Sequence, residues 1–285
     1  MRVARMTGTS AVSLLALRDP LVLLIMLACA ALAAGCAKAD NAINERPVSS
    51  QKYMGYLPKG AVPDSLALLA PPPAPGSAAM ALDEEIAKSS LALQNSARWN
   101  LAILDADVKF PGAAGTFSCA LGAPISEADT PHLYTLLHRS VLDAGKATAA
   151  AKNHYQRPRP FLLNNKPICT PAELDAYARN GAYPSGHATV GWTWALMLAE
   201  LAPDRSEALL TRGLAFGQSR VVCNLHWQSD VNQALILGAA TVARLHAEPD
   251  FVADMDAARA EISAARAKGL PPVRDCEAEA EALKP

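Results

Sequence analysis

Residues Tyr183-Pro184-Ser185-Gly186-His187 set a ring, a fixed-φ residue, a hydroxyl, a bare backbone and an imidazole side by side. Pro184 disfavours helix at Tyr183, and Ser185 can cap the amides after it, so a helix is expected to begin at Gly186. Exposed amides at such a start bind anions, and Gly186 lets a ligand approach the backbone closely. Downstream, in Ser219-Arg220-Val-Val-Cys-Asn-Leu-His226-Trp-Gln-Ser-Asp230, His226 and Asp230 are four apart and would meet on a helix. A carboxylate on one imidazole nitrogen fixes the tautomer and leaves the other nitrogen bare as base or nucleophile. Arg220 would turn away from His226 on a continuous helix, so a break is expected between them. Upstream, Lys152 and Arg159 are seven apart and would share a helix face, although Arg157 blurs that register. An ammonium and a guanidinium fork together suit a phosphate.

Each cluster alone has a plainer reading: a capped helix, a solvated basic face, a core histidine held by an aspartate. Jointly they supply three cations (Lys152, Arg159, Arg220), an anion-binding helix start (Ser185, Gly186) and two histidines, one oriented by Asp230. That set is what phosphoryl transfer through a covalent phosphohistidine needs. Fixed cations can stabilise the charge on the transferring group, so neither metal nor other cofactor is expected. The chain also lacks a carboxylate-rich cluster suited to a magnesium pair. An imidazole that serves as an acid in such a site has to be protonated, which predicts a mildly acidic optimum.

The elements that must position these residues read as helices. In 285 residues, 51% are hydrophobic and 5% aromatic, and alanine is abundant, favouring closely packed helices. Helical patterns run over about 78–107, 127–153, 171–179, 186–201, 205–218, 226–247 and 249–268, with no series of alternating strands. Val231, Leu235, Gly238, Val242 and Leu245 mark one buried face. Ser77 is expected to cap the first of these helices, after the extended run Pro71–Gly76. Residues 40–60 are expected to be loosely ordered, and the acidic run Glu277–Glu281 to fray. Trp192 and Trp194 are expected to pack, and Tyr155 and Trp227 could line a pocket. His132, His138, His154 and His246 fit no motif and are expected to be structural or at the surface.

A net charge of −1 gives no argument for nucleic acid. At the N-terminus, Arg2, Arg5 and Arg18 precede the apolar run Leu21–Ala34, which is too short to span a membrane but suits an export signal. Ala37-Lys38-Ala39 offers one cleavage site, and Ala33-Ala34-Gly35-Cys36 offers a lipoprotein box with a lipid anchor on Cys36. The expected division is a signal peptide at 1–39, an extended segment at 40–77, a single helical-bundle catalytic domain at 78–270 and a tail at 271–285. In an oxidising compartment Cys119, Cys169, Cys223 and Cys276 allow two disulfides, with three connectivities open.

The pattern Lys-x6-Arg-Pro, then Pro-Ser-Gly-His, then Ser-Arg-x5-His-x3-Asp resembles the type 2 phosphatidic acid phosphatase (PAP2) superfamily from Lys152 to Asp230. "LALLAPPPAPGSAAMALDE", "FSCALG", "TPHLYTLLHRS", "YPSGHATVGW" and "HWQSD" are similar, more narrowly, to bacterial class A non-specific acid phosphatases. The resemblance implies an all-α, periplasmic, metal-independent, homo-oligomeric enzyme acting on phosphate monoesters. It implies that His226 attacks phosphorus, Asp230 orients it, and His187 protonates the leaving alcohol. Lys152, Arg159, Arg220, Ser185 and the Gly186 amide would hold the phosphate oxygens.

Other proteins could use the same residues. A vanadium-dependent haloperoxidase would bind vanadate in the phosphate's place, and a non-catalytic phosphate-binding lipoprotein would keep the cations alone. A membrane lipid phosphatase would need several spanning segments, where the sequence offers one short apolar run.

Overall fold

A computed structural model describes residues 54–284, all of them in helices or connecting segments. The expected export signal, its cleavage sites and Cys36 lie outside the described residues. Among those described, no helix is long and apolar enough to cross a membrane.

The helices that frame the site are α1 (Ser65–Leu68), α2 (Ala78–Ser90), α3 (Ala97–Leu104), α4 (Ser118–Leu121), α5 (Pro131–Ala147), α6 (Ala149–Tyr155) and α7 (Pro160–Asn164). They are followed by α8 (Leu174–Ala178), α9 (Gly186–Leu201), α10 (Ser206–Val222), α11 (Gln228–Leu245), α12 (Pro249–Ala267) and α13 (Cys276–Ala282). The long pattern expected over 78–107 is broken into α2 and α3 by Asn95, whose φ is 64°. Ser77 caps α2, its hydroxyl accepting from the Met80 amide at 3.1 Å.

Helix α9 is the hub and packs on α5, α10 and α11. Its sequence, GHATVGWTWALMLAEL, is apolar on every side, as a helix surrounded by others requires. Small residues let its neighbours close in. A Cβ on Gly191 would fall 2.1 Å from the Phe216 ring of α10, and one on Gly213 would fall 2.4 Å from Ala195 Cβ. Trp194, 1% exposed, fills the core and donates its indole N–H to the Leu137 carbonyl at 3.0 Å. The buried face of α11 is Val231, Ala234, Leu237, Gly238, Thr241 and Leu245. Leu235 and Val242, expected on that face, lie on its flank.

Both ends of the described chain are tied down. Tyr56 and Leu57 are buried, and Asp143 accepts their amides at 2.7 and 3.2 Å, where loose order was expected. The acidic run expected to fray instead forms α13, joined to α4 by Cys119–Cys276. There Glu279, 8% exposed, pairs with Arg212 at 3.2 Å. The second disulfide, Cys169–Cys223, fastens the loop after α7 to the end of α10. Cys119–Cys276 closes a loop of 157 residues, so Cys119→Ser with Cys276→Ser is expected to lower unfolding stability by about 2–4 kcal/mol. Denaturant unfolding of the double variant against the parent checks this.

Candidate active site

Lys152, Arg159, Gly186, His187 and His226 line one cavity of about 590 Å³, together with Val108, Val141, Val190, Tyr177 and Arg179. Ser185, Arg220 and Asp230, each 0% exposed, are not on that lining but adjoin it: Ser185 precedes Gly186, Arg220 reaches the Tyr177 hydroxyl at 3.4 Å, and Asp230 faces His226. The three sequence clusters thus converge, though not by the geometry expected for the first. Lys152 lies in α6, which ends at Tyr155, and Gln156 turns the chain in the left-handed region at φ 44°. Arg159 therefore precedes α7 and meets Lys152 from a separate segment, not from a shared helix face.

At the second cluster, Ser185 caps α9 by accepting from the Ala188 amide at 3.3 Å, and Gly186 is its first residue. A Cβ on Gly186 would come no nearer than 3.9 Å to any neighbour, the closest being Lys152 Cε. The fold therefore does not demand glycine here; the bare backbone opens onto the cavity. His187 sets its Nε2 3.0 Å from the Ala106 carbonyl. A carbonyl can only accept, so Nε2 carries a proton and Nδ1 is the nitrogen free to exchange one. Ala106 is held by its neighbour Asp105, which receives both terminal nitrogens of Arg212 at 3.1 and 2.5 Å.

The third cluster breaks where expected. Helix α10 ends at Val222, Asn224 takes φ 57°, and α11 begins at Gln228. Asn tolerates that conformation, and here its amide also donates to the Lys166 carbonyl at 3.1 Å. Arg159 Nη1 donates to the Leu225 carbonyl and to His226 Nε2, both at 2.9 Å. Guanidinium cannot accept, so Nε2 presents a lone pair and Nδ1 holds the proton, which faces Asp230 Oδ2 at a long 3.4 Å.

The charges explain what the cavity can hold. Lys152 Nζ donates to the Gly181 carbonyl at 2.8 Å, and burial followed by Arg159 lowers its pKa to about 7. Arg159, also desolvated and repelled by Arg220, drops to about 10. Burial also lowers Arg220, whose Nε and Nη1 have no hydrogen-bond partner. Both histidines are pushed well below the usual imidazole range, first by burial and then by these cations. Unpartnered buried donors among mutually repelling cations fit an oxyanion. Among the described residues, no group of three His, Cys, Asp or Glu side chains could hold a metal ion.

Tyr177 was missed in the sequence. Its carbonyl accepts from Arg159 Nε at 3.0 Å, and its ring lies 4.8 Å from that guanidinium. A lone tyrosine in a short helix carries no local signal of this. Arg157, read only as blurring the register, is 7% exposed and bonded to Asp230 Oδ1 at 2.5 Å. Neither Tyr155 nor Trp227 lines the cavity; Tyr155 packs on Tyr183, and the Trp227 indole donates to the Pro158 carbonyl at 2.8 Å. His138 stacks on Phe110, His154 meets the Tyr155 ring edge-on, and His246 pairs with Glu200; none of them nor His132 reaches the cavity.

Fold and site together define an all-helical protein with two histidines and the cations Lys152 and Arg159 lining one cavity beside its central helix. The PAP2 superfamily matches residues 132–250, a range that holds all three clusters. The chain is 38% identical over 251 residues to an acid phosphatase of Zymomonas mobilis subsp. mobilis, covering 88% of this chain and 93% of that one. It is 41% identical over 217 residues to a non-specific acid phosphatase of Providencia stuartii (76% and 88% covered). It is also 41% identical over 196 residues to one of Salmonella typhimurium (68% and 78% covered). The chain belongs to the PAP2 superfamily.

Proposed function

We propose that this protein is an exported, metal-independent acid phosphatase that hydrolyses phosphate monoesters through a phosphohistidine on His226. The observation that carries the reading is the Arg159–His226 contact. A cation of the phosphate cradle lies against the nitrogen left with a lone pair, so a phosphoryl group drawn to Arg159 arrives at its nucleophile.

Nε2 of His226 attacks phosphorus as the P–O bond to the alcohol breaks. The leaving oxygen takes the proton from His187, while Lys152, Arg159, Arg220, Ser185 and the Gly186 amide hold the other oxygens. His187 then takes a proton from water as its oxygen attacks phosphorus. The P–N bond breaks, its electron pair returns to His226, and phosphate leaves. Asp230 steadies the positive charge on the ring between the two steps. The apolar side of the cavity, Val108, Val141 and Val190, offers the alcohol few specific contacts, which suits a broad range of monoesters. Export through the 1–39 signal and homo-oligomeric assembly belong to the same proposal.

Acid phosphatase activity also agrees with the names of the relatives. The test is hydrolysis of an aryl phosphate by the mature chain at pH 5–7 with chelator present, followed by an alkaline quench. Chelator-resistant turnover with an alkali-stable phosphoryl group on His226 is expected. Turnover without any phosphoryl-enzyme, or turnover lost to chelator, overturns the mechanism.

Lys152 gives this activity a pH dependence of its own. Its ammonium form binds phosphate, and with a pKa of about 7 that form is lost as pH rises. KM is therefore expected to rise about tenfold per pH unit above 7. Lys152→Met should raise KM about 10–100-fold at pH 6 and flatten that rise. Measuring KM from pH 6 to 9 checks both.

A further inference from the structure

Two buried charged residues take no part in the chemistry above. Asp83 and Arg157, 3% and 7% exposed, come from α2 and from the loop between α6 and α7. The Arg157 guanidinium bridges two carboxylates: Nη1 donates to Asp230 Oδ1 at 2.5 Å and Nη2 to Asp83 Oδ2 at 2.8 Å. Asp83 in turn accepts the Ser229 amide at 2.9 Å and the Ser229 hydroxyl at 2.5 Å. Arg157 Nη1 reaches that hydroxyl too, at 2.7 Å. Ser229 is the residue before Asp230, so the network grips the first turn of α11 from outside. Neither Asp83 nor Arg157 lines the cavity.

Asp230 is thereby divided between two tasks. Oδ2 accepts the Trp227 amide at 2.9 Å and faces His226 Nδ1, while Oδ1 belongs to Arg157. A fully buried carboxylate keeps its charge only where a cation or several donors face it. We propose that Asp83 and Arg157 are positioning residues that act through Asp230, holding its carboxylate in the orientation and charge state that His226 requires. This inference rests on the phosphohistidine reading. Asp83 is expected to moderate Arg157, because a guanidinium shared with a second carboxylate stabilises the first one less.

Other groups near Asp230 bear on its charge. Lys152 of α6 and Arg159 before α7 interact with it electrostatically, as do Tyr183 before α9 and His226 before α11. Burial pushes Asp230 up to about 6, and Arg157 is foremost among the influences that hold it down, ahead of Lys152. Asp230 works as the carboxylate, so rate falls as pH drops through its titration. Removing Arg157 raises that pKa and moves the acid limb of the kcat profile to higher pH. Removing the charge of Asp83 leaves Arg157 less neutralised, lowers the pKa, and moves the limb to lower pH. The two variants are thus expected to move the profile in opposite directions, a result that loss of packing alone would not produce.

The experiment measures kcat and KM from pH 4 to 8 for the mature chain, Arg157→Gln, Arg157→Lys and Asp83→Asn, with circular dichroism as a check on folding. Arg157→Gln should lose about tenfold or more in kcat at pH 5 and less at pH 7, with KM changed less than about threefold. Arg157→Lys should bring the limb back towards the parent, and Asp83→Asn should shift it acidward. Folded variants whose limbs stay in place, or move in the same direction, overturn the proposal. If Arg157→Gln does not fold, Asp83→Asn decides: an acidward limb supports it, and an unmoved or alkaline-shifted limb overturns it. The alkaline-quench trap on the parent chain tests the phosphohistidine reading separately, since it depends on neither variant.

Discussion

His226→Ala is expected to slow phosphate ester hydrolysis by at least about 10⁴-fold and to leave no trapped phosphoryl-enzyme. Folding should survive the change, because Asp230 keeps the Trp227 amide and the Arg157 guanidinium as partners. Phosphate binding should survive as well. Lys152 and Arg220 are untouched, and Arg159 loses only the imidazole that accepted from it at 2.9 Å. Inorganic phosphate should therefore inhibit or bind the variant within a few-fold of the parent, while turnover collapses. A residual rate within tenfold of the parent would remove His226 from the nucleophile's role. Collapse of both binding and turnover would point to damage to the cradle. Isothermal titration with phosphate beside the rate assay distinguishes the two outcomes.

His187→Ala has the second largest expected effect, and its size should depend on the leaving group. Loss of a general acid costs about 10²–10⁴-fold when the departing oxygen needs a proton, as in an alkyl phosphate. A nitrophenolate leaves without one, so the first step with that ester should be much less affected. The second step still needs a base to activate water. Phosphoryl-enzyme should therefore accumulate in His187→Ala with the aryl ester and not with the alkyl ester. Equal losses of kcat/KM, which reports the first step, for both esters would rule out the acid role.

The pH dependence of His187 has a definite sign. Burial, then Arg220, with smaller contributions from Arg159 and Lys152, hold its pKa well below 6.5, against the Ala106 carbonyl, which favours the proton. The protonated form is lost as pH rises through that lowered value, so kcat/KM, which reports the free enzyme, should fall early. A bound phosphate anion offsets the same cations and raises the pKa in the complex. The alkaline limb of kcat should consequently lie at higher pH than that of kcat/KM. His187→Ala should remove the part of that separation below pH 7 and leave the rise of KM above pH 7 that Lys152 produces.

Much of the site was legible because its signals are local. Ser185 before Gly186-His187 is a cap, and caps act on amides two or three residues away. Asp230 stands four residues after His226, within one helical turn, and the break after Arg220 follows from the different directions the two residues must face. The order Lys152, Arg159, Ser185, His187, Arg220, His226, Asp230 was enough to suggest phosphoryl transfer and the family. The helical class followed from alanine abundance and periodicity, and Ser77 marked the start of α2.

What was misread or missed depends on contacts the chain makes only when packed. Lys152 and Arg159 were placed on one helix by a spacing argument, but Gln156 turns the backbone between them, and they meet through tertiary geometry. The pairings Cys119–Cys276 and Cys169–Cys223 stayed open, because four cysteines in sequence do not say which loops come together. The acidic run at 277–281 has no local reason to be ordered, and in the fold Arg212 and a disulfide give it partners.

The sequence by itself determined the order of the side chains proposed to carry the chemistry and the local turns that present them. Only the tertiary structure decided their working state. The His187 tautomer is set by the Ala106 carbonyl, 81 residues away in sequence, and the partner of Asp230 is an arginine shared with Asp83, 74 residues from it. Helix starts and turns are fixed by interactions within a few residues. Proton positions and buried charge states depend on which groups the packed bundle brings together and shields from water, and composition and spacing carry no signal of that.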